Sequence, residues 1–151
     1  MSQPCFIRPA TAADVPFLQA CAQSAYEIYI AAIGQKPAPM VFNFEAHLAD
    51  HTIEVIEQTG GVAGYMVWNL MDKCLFLDSI AILPSHQGKG LASQAMRHLE
   101  AQAKANGKAA IELYTNEKMT GNLTLYPHLG FVETDRRQED GFNRVFFRKC
   151  L

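Results

Sequence analysis

The chain has 151 residues, of which 49% are hydrophobic and 19% charged, so it can bury one ordinary core without disulfides or metal. Thirteen Lys and Arg residues stand against fifteen Asp and Glu residues, and this net charge of −2 argues against nucleic acid as a partner. The four cysteines are scattered without a Cys-x-x-Cys pair, and we find neither an export signal nor eighteen consecutive apolar residues. We therefore expect one cytoplasmic domain over residues 1–151, with free thiols and no membrane partner.

The first third of the chain predicts a strand followed by helical structure. Residues 5–8 have the pattern of a short strand, and Thr11 with Asp14 three residues later predicts a capped helix that continues to about Ile33. Gly34 ends this helix, and the two prolines of residues 37–40 predict a non-helical segment. A short helix is expected at about residues 45–50.

Three strands in an antiparallel meander are predicted next. They span residues 52–58, 62–70 and 74–83, with turns at residues 60–61 and 71–73. The third strand is apolar on both alternating faces, which predicts a central strand that is covered on both sides. Asp78 is the one charge that interrupts it.

The second half of the chain predicts a crossover and a closing hairpin. A helix at about residues 90–104 precedes a strand at 109–115, which must therefore lie parallel to the strand at 74–83 through a right-handed crossover. A short helix at 121–128 and strands at 131–137 and 143–150 follow. The prediction is an α/β fold, with roughly seven strands in a mixed sheet, helices on both faces and a central parallel strand pair.

The most informative segment is a glycine-bearing turn between the strand at 74–83 and the helix that follows. It reads Gln87-Gly88-Lys89-Gly90 and leads directly into the first turn of that helix. First-turn N–H groups are unpaired, and glycines let an anion approach them, so the segment predicts a pyrophosphate site. It is neither a P-loop, because Lys89 lies between the glycines, nor a dinucleotide fingerprint, because Ser93 stands at the third glycine position.

Two motifs give the chain a family resemblance. Gln87-x-x-Gly90-x-Ala92 follows an apolar strand, and the later segment Asn122-x-x-x-Tyr126-x-x-x-Gly130-Phe131 stands in the expected element order. With them, nearly the whole chain resembles the GNAT superfamily, the Gcn5-related N-acetyltransferases. The resemblance implies the GNAT fold, acetyl-CoA as co-substrate between two splayed parallel strands, and direct acetyl transfer to a primary amine in a ternary complex. The alternative is a non-catalytic acyl-CoA-binding sensor or interaction module on the same fold.

The resemblance also implies roles for individual residues. Tyr126 matches the tyrosine proposed as general acid near the thioester sulfur, and Asp78 stands where several members carry a Glu that acts, often through water, as general base. Glu112 on the neighbouring strand is the competing base. Asn116 and Asn122 bind the cofactor or fix local turns. The remaining implied cofactor contacts are Ile80, Ala81, Ile82, Gln87, Gly88, Lys89, Gly90, Leu91 and Ala92.

The resemblance places the amine acceptor between the first two helices and the sheet. The residues of this chain in that region are Tyr26, Tyr29, Met40 and Phe42. They predict a partly aromatic mouth, which does not distinguish a metabolite amine, an amino acid, an aminoglycoside or a protein N-terminus. A homodimer is compatible with the sequence.

Two histidines, His47 and His51, stand four residues apart on a predicted helix. This spacing can present two metal ligands on one face, but the His-Glu-x-x-His pattern and a matched third ligand are missing from the sequence. We therefore expect a solvated helix face and no metal.

Overall fold

Within residues 4–151, which the computed structural model describes, seven strands form one mixed sheet. The strands are β1 (Phe6–Pro9), β2 (Thr52–Gln58), β3 (Gly61–Leu70), β4 (Cys74–Ile82), β5 (Ala110–Asn116), β6 (Val132–Glu139) and β7 (Phe142–Cys150). Their order in the sheet is β1-β2-β3-β4-β5-β7-β6. The central pair β4 and β5 is parallel, whereas β2 pairs antiparallel with β3 and β6 pairs antiparallel with β7. The predicted mixed sheet with its central parallel pair is confirmed.

The helices follow the predicted order, with two corrections. They are α1 (Val15–Tyr26), α2 (Ile30–Ile33), α3 (Phe44–His47), α4 (Leu91–Ala105) and α5 (Thr120–His128). The predicted continuous helix up to Ile33 is wrong, because a 3₁₀ turn at Glu27–Tyr29 separates α1 from α2. The segment at 37–40 was expected to be non-helical, yet Ala38–Val41 form a 3₁₀ helix, since a proline in the first turn lacks only an N–H that has no helical partner there. No helix among the described residues is long and apolar enough to cross a membrane.

The chain divides into two compact units. The first comprises the described residues up to Trp68 together with Ser79–Ala95, and the second comprises Asn69–Asp78 with Met96–Leu151. Each has its own fully buried side chains. Those of the first include Leu18, Val55, Ile56, Tyr65 and Met66, and those of the second include Leu75, Leu99, Ile111, Leu113 and Phe147.

The parallel ladder of the second unit is short. Cys74–Leu77 pair with Ala110–Leu113, whereas β4 continues to Ile82 and β5 to Asn116. In the first unit, the amide of Leu83 just after β4 donates to the carbonyl of Ala63 in β3 at 2.8 Å. The final residues of β4 are therefore held close to β3.

Gly64 permits this close approach of β3 to β4. A Cβ atom at Gly64 would lie 2.3 Å from the carbonyl oxygen of Ala81 and 3.2 Å from Cα of Ile82. Both are backbone atoms, which cannot rotate away as the end of a side chain can. We expect Gly64→Ala to lower the free energy of unfolding by about 1–3 kcal/mol, as overpacking does in a close-packed interior, measured by urea denaturation.

A matched control exists in Gly121, which is exposed in the first turn of α5. Alanine is a better helix former than glycine, so Gly121→Ala is expected to be neutral or slightly stabilising. Equal free energies of unfolding for the two variants would contradict the steric role of Gly64.

Candidate cofactor and catalytic sites

The glycine-bearing turn joins β4 to α4 through a 3₁₀ turn at Pro84–His86. Gln87 Nε2 folds back and donates to the carbonyl of Ile82 at 3.1 Å. Gly88 and Gly90 both adopt the left-handed backbone conformation, with φ of 78° and 79°. Other residues rarely adopt this conformation, so the path of the backbone requires a glycine at each position.

The turn is open to solvent in front of a long helix. Gln87, Gly88 and Lys89 are exposed, whereas Leu91 is buried and anchors the start of the fifteen-residue helix α4. Within residues 4–151, no heavy atom other than those of Gly88 and its two chain neighbours lies within 4 Å of the position that a Cβ of Gly88 would occupy. First-turn amides carry a partial positive charge, which attracts a phosphate group. The open space at Gly88 lets the phosphate approach without displacing a neighbouring side chain.

The last residues of β4 form a hydrogen bond with α1 within the first unit. The hydroxyl of Tyr26 donates to the carbonyl of Ile80 at 2.8 Å, and Tyr26 is only 8% exposed. Ile80 and Ile82 are half-buried, and Ala81 is buried. Tyr26, predicted to line the acceptor mouth, is therefore a buried contact to the strand that carries three predicted cofactor residues.

The other predicted acceptor residues lie near α1 and α3. Gln23 Nε2 in α1 donates to the carbonyl of Met40 at 3.0 Å, and Met40 is buried. Phe42 is half-buried and packs edge-on against Phe44 with ring centroids 5.1 Å apart. Tyr29 is half-buried in the 3₁₀ turn after α1. Of this set, Tyr29 and Phe42 retain solvent access.

Asp78 occupies a polar position within the second unit. Asn69 Nδ2 donates to its Oδ2 at 2.8 Å, and Asp78 is half-buried. Burial raises the pKa of the Tyr114 hydroxyl, the Arg144 guanidinium opposes that shift, and the negative charge of Asp78 adds to it. Asn69 and Tyr114 were not identified from the sequence. The amide of Asn69 is uncharged, so this hydrogen bond orients Asp78 without neutralising it.

Glu112, the competing base, has a different environment. Arg148 lies opposite it in the β5–β7 register, and Arg148 Nη1 is 2.7 Å from Glu112 Oε2. Burial, with the nearby charge of Glu112, raises the pKa of the Cys74 thiol to about 11. Glu112 therefore forms an ion pair with a residue of the neighbouring strand.

Tyr126 is buried in α5, with 6% of its surface exposed. Its ring packs against Phe131 and Phe147, with centroid separations of 5.7 Å and 5.8 Å. Burial raises the pKa of its hydroxyl to about 12. The phenol therefore remains protonated at neutral pH, as a proton donor must.

The two asparagines make local contacts. Asn116 Oδ1 accepts from the backbone N of Lys118 at 2.9 Å, which is the turn-forming role that the sequence allowed. Asn122 Nδ2 donates to Thr115 Oγ1 at 3.0 Å. The first bond lies within the loop after β5, and the second connects the end of β5 to the start of α5.

Known proteins resemble this chain in sequence and in fold. The model of the acetyltransferase (GNAT) family matches residues 18–131. The L-amino acid N-acyltransferase MnaT of Escherichia coli (strain K12) is 32% identical over 104 residues, or 65% of this chain. The match covers 60% of that relative, so the chain spans about three fifths of its length.

Two solved structures share the fold. A GCN5-related N-acetyltransferase from Rhodopseudomonas palustris has a TM-score of 0.81 and 18% identity, over 100% of this chain and 98% of that one. A GNAT family acetyltransferase from Elizabethkingia anophelis, solved with acetyl-CoA bound, has a TM-score of 0.73 and 19% identity, over 97% of this chain and 98% of that one.

Proposed function

Because the chain belongs to the acetyltransferase (GNAT) family, we propose that it transfers the acetyl group of acetyl-CoA to a primary amine by direct attack in a ternary complex. Family membership confirms the resemblance predicted from the sequence and fits acetyl-CoA as the co-substrate. The observation that carries the proposal is the turn at residues 87–90, which is exposed at residues 87–89 and has two left-handed glycines just before α4.

We assign the pyrophosphate of acetyl-CoA to this turn. The amides that precede and begin α4 attract negative charge, and the exposed Lys89 adds a positive charge beside them. The pantetheine amides are assigned to the backbone of residues 80–82, because the ladder with β5 ends at Leu77 and the strand beyond it can pair with other amides, in addition to the side chains of Tyr26 and Gln87 that reach the carbonyls of Ile80 and Ile82. The family match spans residues 18–131 and includes parts of both units, so we propose that they form one catalytic domain.

The chemical step requires one base and one acid. Asp78 accepts a proton from the ammonium form of the acceptor. The proton passes through an ordered water, because the side chain of Asp78 is shorter than that of the Glu that several family members carry at this position. The free amine nitrogen attacks the thioester carbonyl carbon, a C–N bond forms, and the C–S bond breaks. The departing thiolate then takes its proton from the hydroxyl of Tyr126. The acetylated nitrogen loses its remaining extra proton, through solvent, to the Tyr126 phenolate, and Asp78 releases the proton of the ammonium to water. Acetylated amine and free coenzyme A are the products.

We expect Tyr126→Phe to lower turnover by roughly ten- to a thousandfold, because the thiolate then leaves without a proton donor. Phenylalanine keeps the ring contacts with Phe131 and Phe147, so the affinity for acetyl-CoA should change little. Turnover is measured at saturating acetyl-CoA, and affinity by calorimetry. Weaker binding with unchanged turnover at saturation would assign Tyr126 a packing role instead.

The acceptor is tested with a panel of amines, by measuring the free thiol released from acetyl-CoA. The name of the curated relative makes free L-amino acids the first class to test. Their decarboxylated counterparts, short peptides with a free N-terminus and an aminoglycoside complete the panel. The proposal predicts thiol release above the hydrolysis blank for at least one primary amine. Binding of acetyl-CoA without release for any amine would favour the non-catalytic acyl-CoA-binding alternative.

A further inference from the structure

The segment between the 3₁₀ helix at Ala38–Val41 and β2 contains a cluster of three potential metal ligands. His47, Asp50 and His51 each offer one ligand atom, and these atoms all lie within 4.8 Å of one another. Nδ1 of His47 is 3.0 Å from Asp50 Oδ1, and Nδ1 of His51 is 2.6 Å from the same oxygen. The sequence alone favoured a solvated helix face for the histidines, but the fold supplies Asp50 as a third group.

The backbone places the two histidines one helical turn apart. The amide of His51 donates to the carbonyl of His47 at 3.0 Å, which continues the helical hydrogen-bond pattern beyond α3. Residues four apart on a helix lie on the same face, so both imidazoles point to one side. Asn43 Oδ1 accepts from the amide of Ala46 at 3.0 Å and caps this turn.

Aromatic packing holds both imidazole rings in place. Phe42 stacks on His47 with a centroid separation of 4.8 Å and an interplanar angle of 28°. It also meets His51 edge-on at 5.7 Å. Phe42 in turn contacts Phe44, which is 1% exposed and packs against the buried ring of Tyr65 at 5.2 Å. The cluster therefore rests on the core of the first unit.

We propose that His47, Asp50 and His51 bind a divalent transition-metal cation, with zinc as the ion whose ligand preferences they fit best. Two imidazole nitrogens and one carboxylate oxygen are a common zinc ligand set, with bonds of about 2.0–2.2 Å. In a tetrahedral site such bonds put the ligand atoms about 3.3 Å apart. The two Nδ1 atoms lie 3.0 Å and 2.6 Å from Asp50 Oδ1, so side-chain rotations that lengthen these two distances by less than about an ångström make room for the ion. Asp50 is exposed, so water completes the coordination.

The test uses the full chain stripped of metal with a chelator and titrated with zinc chloride in a calorimeter. We expect one zinc ion per chain, and His47→Ala, His51→Ala and Asp50→Asn should each weaken the affinity at least about tenfold. Zinc should also raise the midpoint of thermal unfolding of the parent chain and not of these variants, because a ligand that binds only the folded state stabilises it. Unfolding curves recorded with chelator present establish that each variant folds.

Two controls address binding elsewhere on the chain. His128 and Cys150 are exposed and outside the cluster, so His128→Ala and Cys150→Ser should bind zinc like the parent. Cobalt in place of zinc should give a spectrum without a thiolate charge-transfer band, because the ligands are nitrogen and oxygen. Zinc binding that survives in the His47→Ala/His51→Ala double variant, or that is lost in Cys150→Ser, would overturn the proposal. Absence of binding to the parent would show that Asp50 only accepts hydrogen bonds from the two imidazoles, which would overturn it equally.

Discussion

A Gly90→Val variant should lose acetyl-CoA binding, with an affinity at least about a hundredfold below that of the parent. Gly90 has a φ of 79°, a conformation that costs a β-branched residue roughly 1–3 kcal/mol or more. Valine is expected to leave that conformation. The change in the backbone would turn the amides before α4 away from the position assigned to the pyrophosphate. Its branched side chain also blocks the approach of the pyrophosphate. Calorimetric titration with acetyl-CoA measures the loss.

Gly107 provides the matched control for this experiment. It follows the other end of α4, is exposed and has a φ of 71°. Among the described residues beyond its two chain neighbours, no heavy atom lies within 4 Å of its Cβ position. Gly107→Val therefore introduces the same backbone conflict beside the same helix, away from the proposed phosphate site. We expect it to lower stability and to leave acetyl-CoA affinity near that of the parent. A folded Gly90→Val variant with parental affinity would refute the placement of the pyrophosphate.

Asp78→Asn should lower turnover at neutral pH by roughly a hundred- to ten-thousandfold, the usual contribution of a general base. Asparagine keeps the shape of the side chain and its contact distance to Asn69, but it cannot accept the proton. A primary amine is mostly protonated at neutral pH, and the fraction of free amine grows as the pH rises. Turnover of the variant should therefore recover in part at high pH. The affinity for acetyl-CoA should persist.

The pH–rate profiles of two further variants distinguish the residue that accepts the proton from the residues near it. Glu112→Gln tests the competing carboxylate and should have a smaller effect, because Glu112 is already paired with Arg148. Asn69→Ala removes the hydrogen bond that orients Asp78 while leaving the carboxylate, so it should lower turnover less than Asp78→Asn and keep the shape of the parental profile. If the profile of Asp78→Asn overlays that of the parent, Glu112 becomes the candidate base.

Most elements of the fold could be predicted from the sequence because they depend on short-range residue preferences. Gly34 in the left-handed conformation ends α2, and Thr11 with Asp14 forms the capping box before α1. β2 covers the predicted residues, 52–58, because a segment rich in β-branched residues with a turn after it identifies a strand without reference to its partners. The parallel pairing of β4 and β5 follows from the helix between them, since a hairpin cannot connect parallel strands. Gly88 and Gly90 predicted the sharp turn because glycine readily adopts the positive φ that both residues have.

Tertiary packing decided where the helical segments break. Tyr26 has a φ of −111° and ends α1, while its hydroxyl bonds to the carbonyl of Ile80, 54 residues away. The pattern of apolar residues continues through this point, so periodicity alone predicted one helix up to Ile33. A hydrogen bond between distant residues leaves no signal in the local sequence.

The roles of individual site residues depended on the same long-range contacts. Gly64 reads as an ordinary strand residue, and only the approach of Ala81 to within 2.3 Å of its Cβ position shows that a larger residue is excluded. Asp78 and Glu112 are equivalent as bare carboxylates in a sequence. The fold places the Asn69 amide beside Asp78 and the Arg148 guanidinium beside Glu112. The amino-acid pattern predicted the order of the strands and their bounds to within one or two residues, because strand and turn preferences are local. The hydrogen-bonding partners of each carboxylate lie far along the chain or on another strand, so the fold had to bring them together.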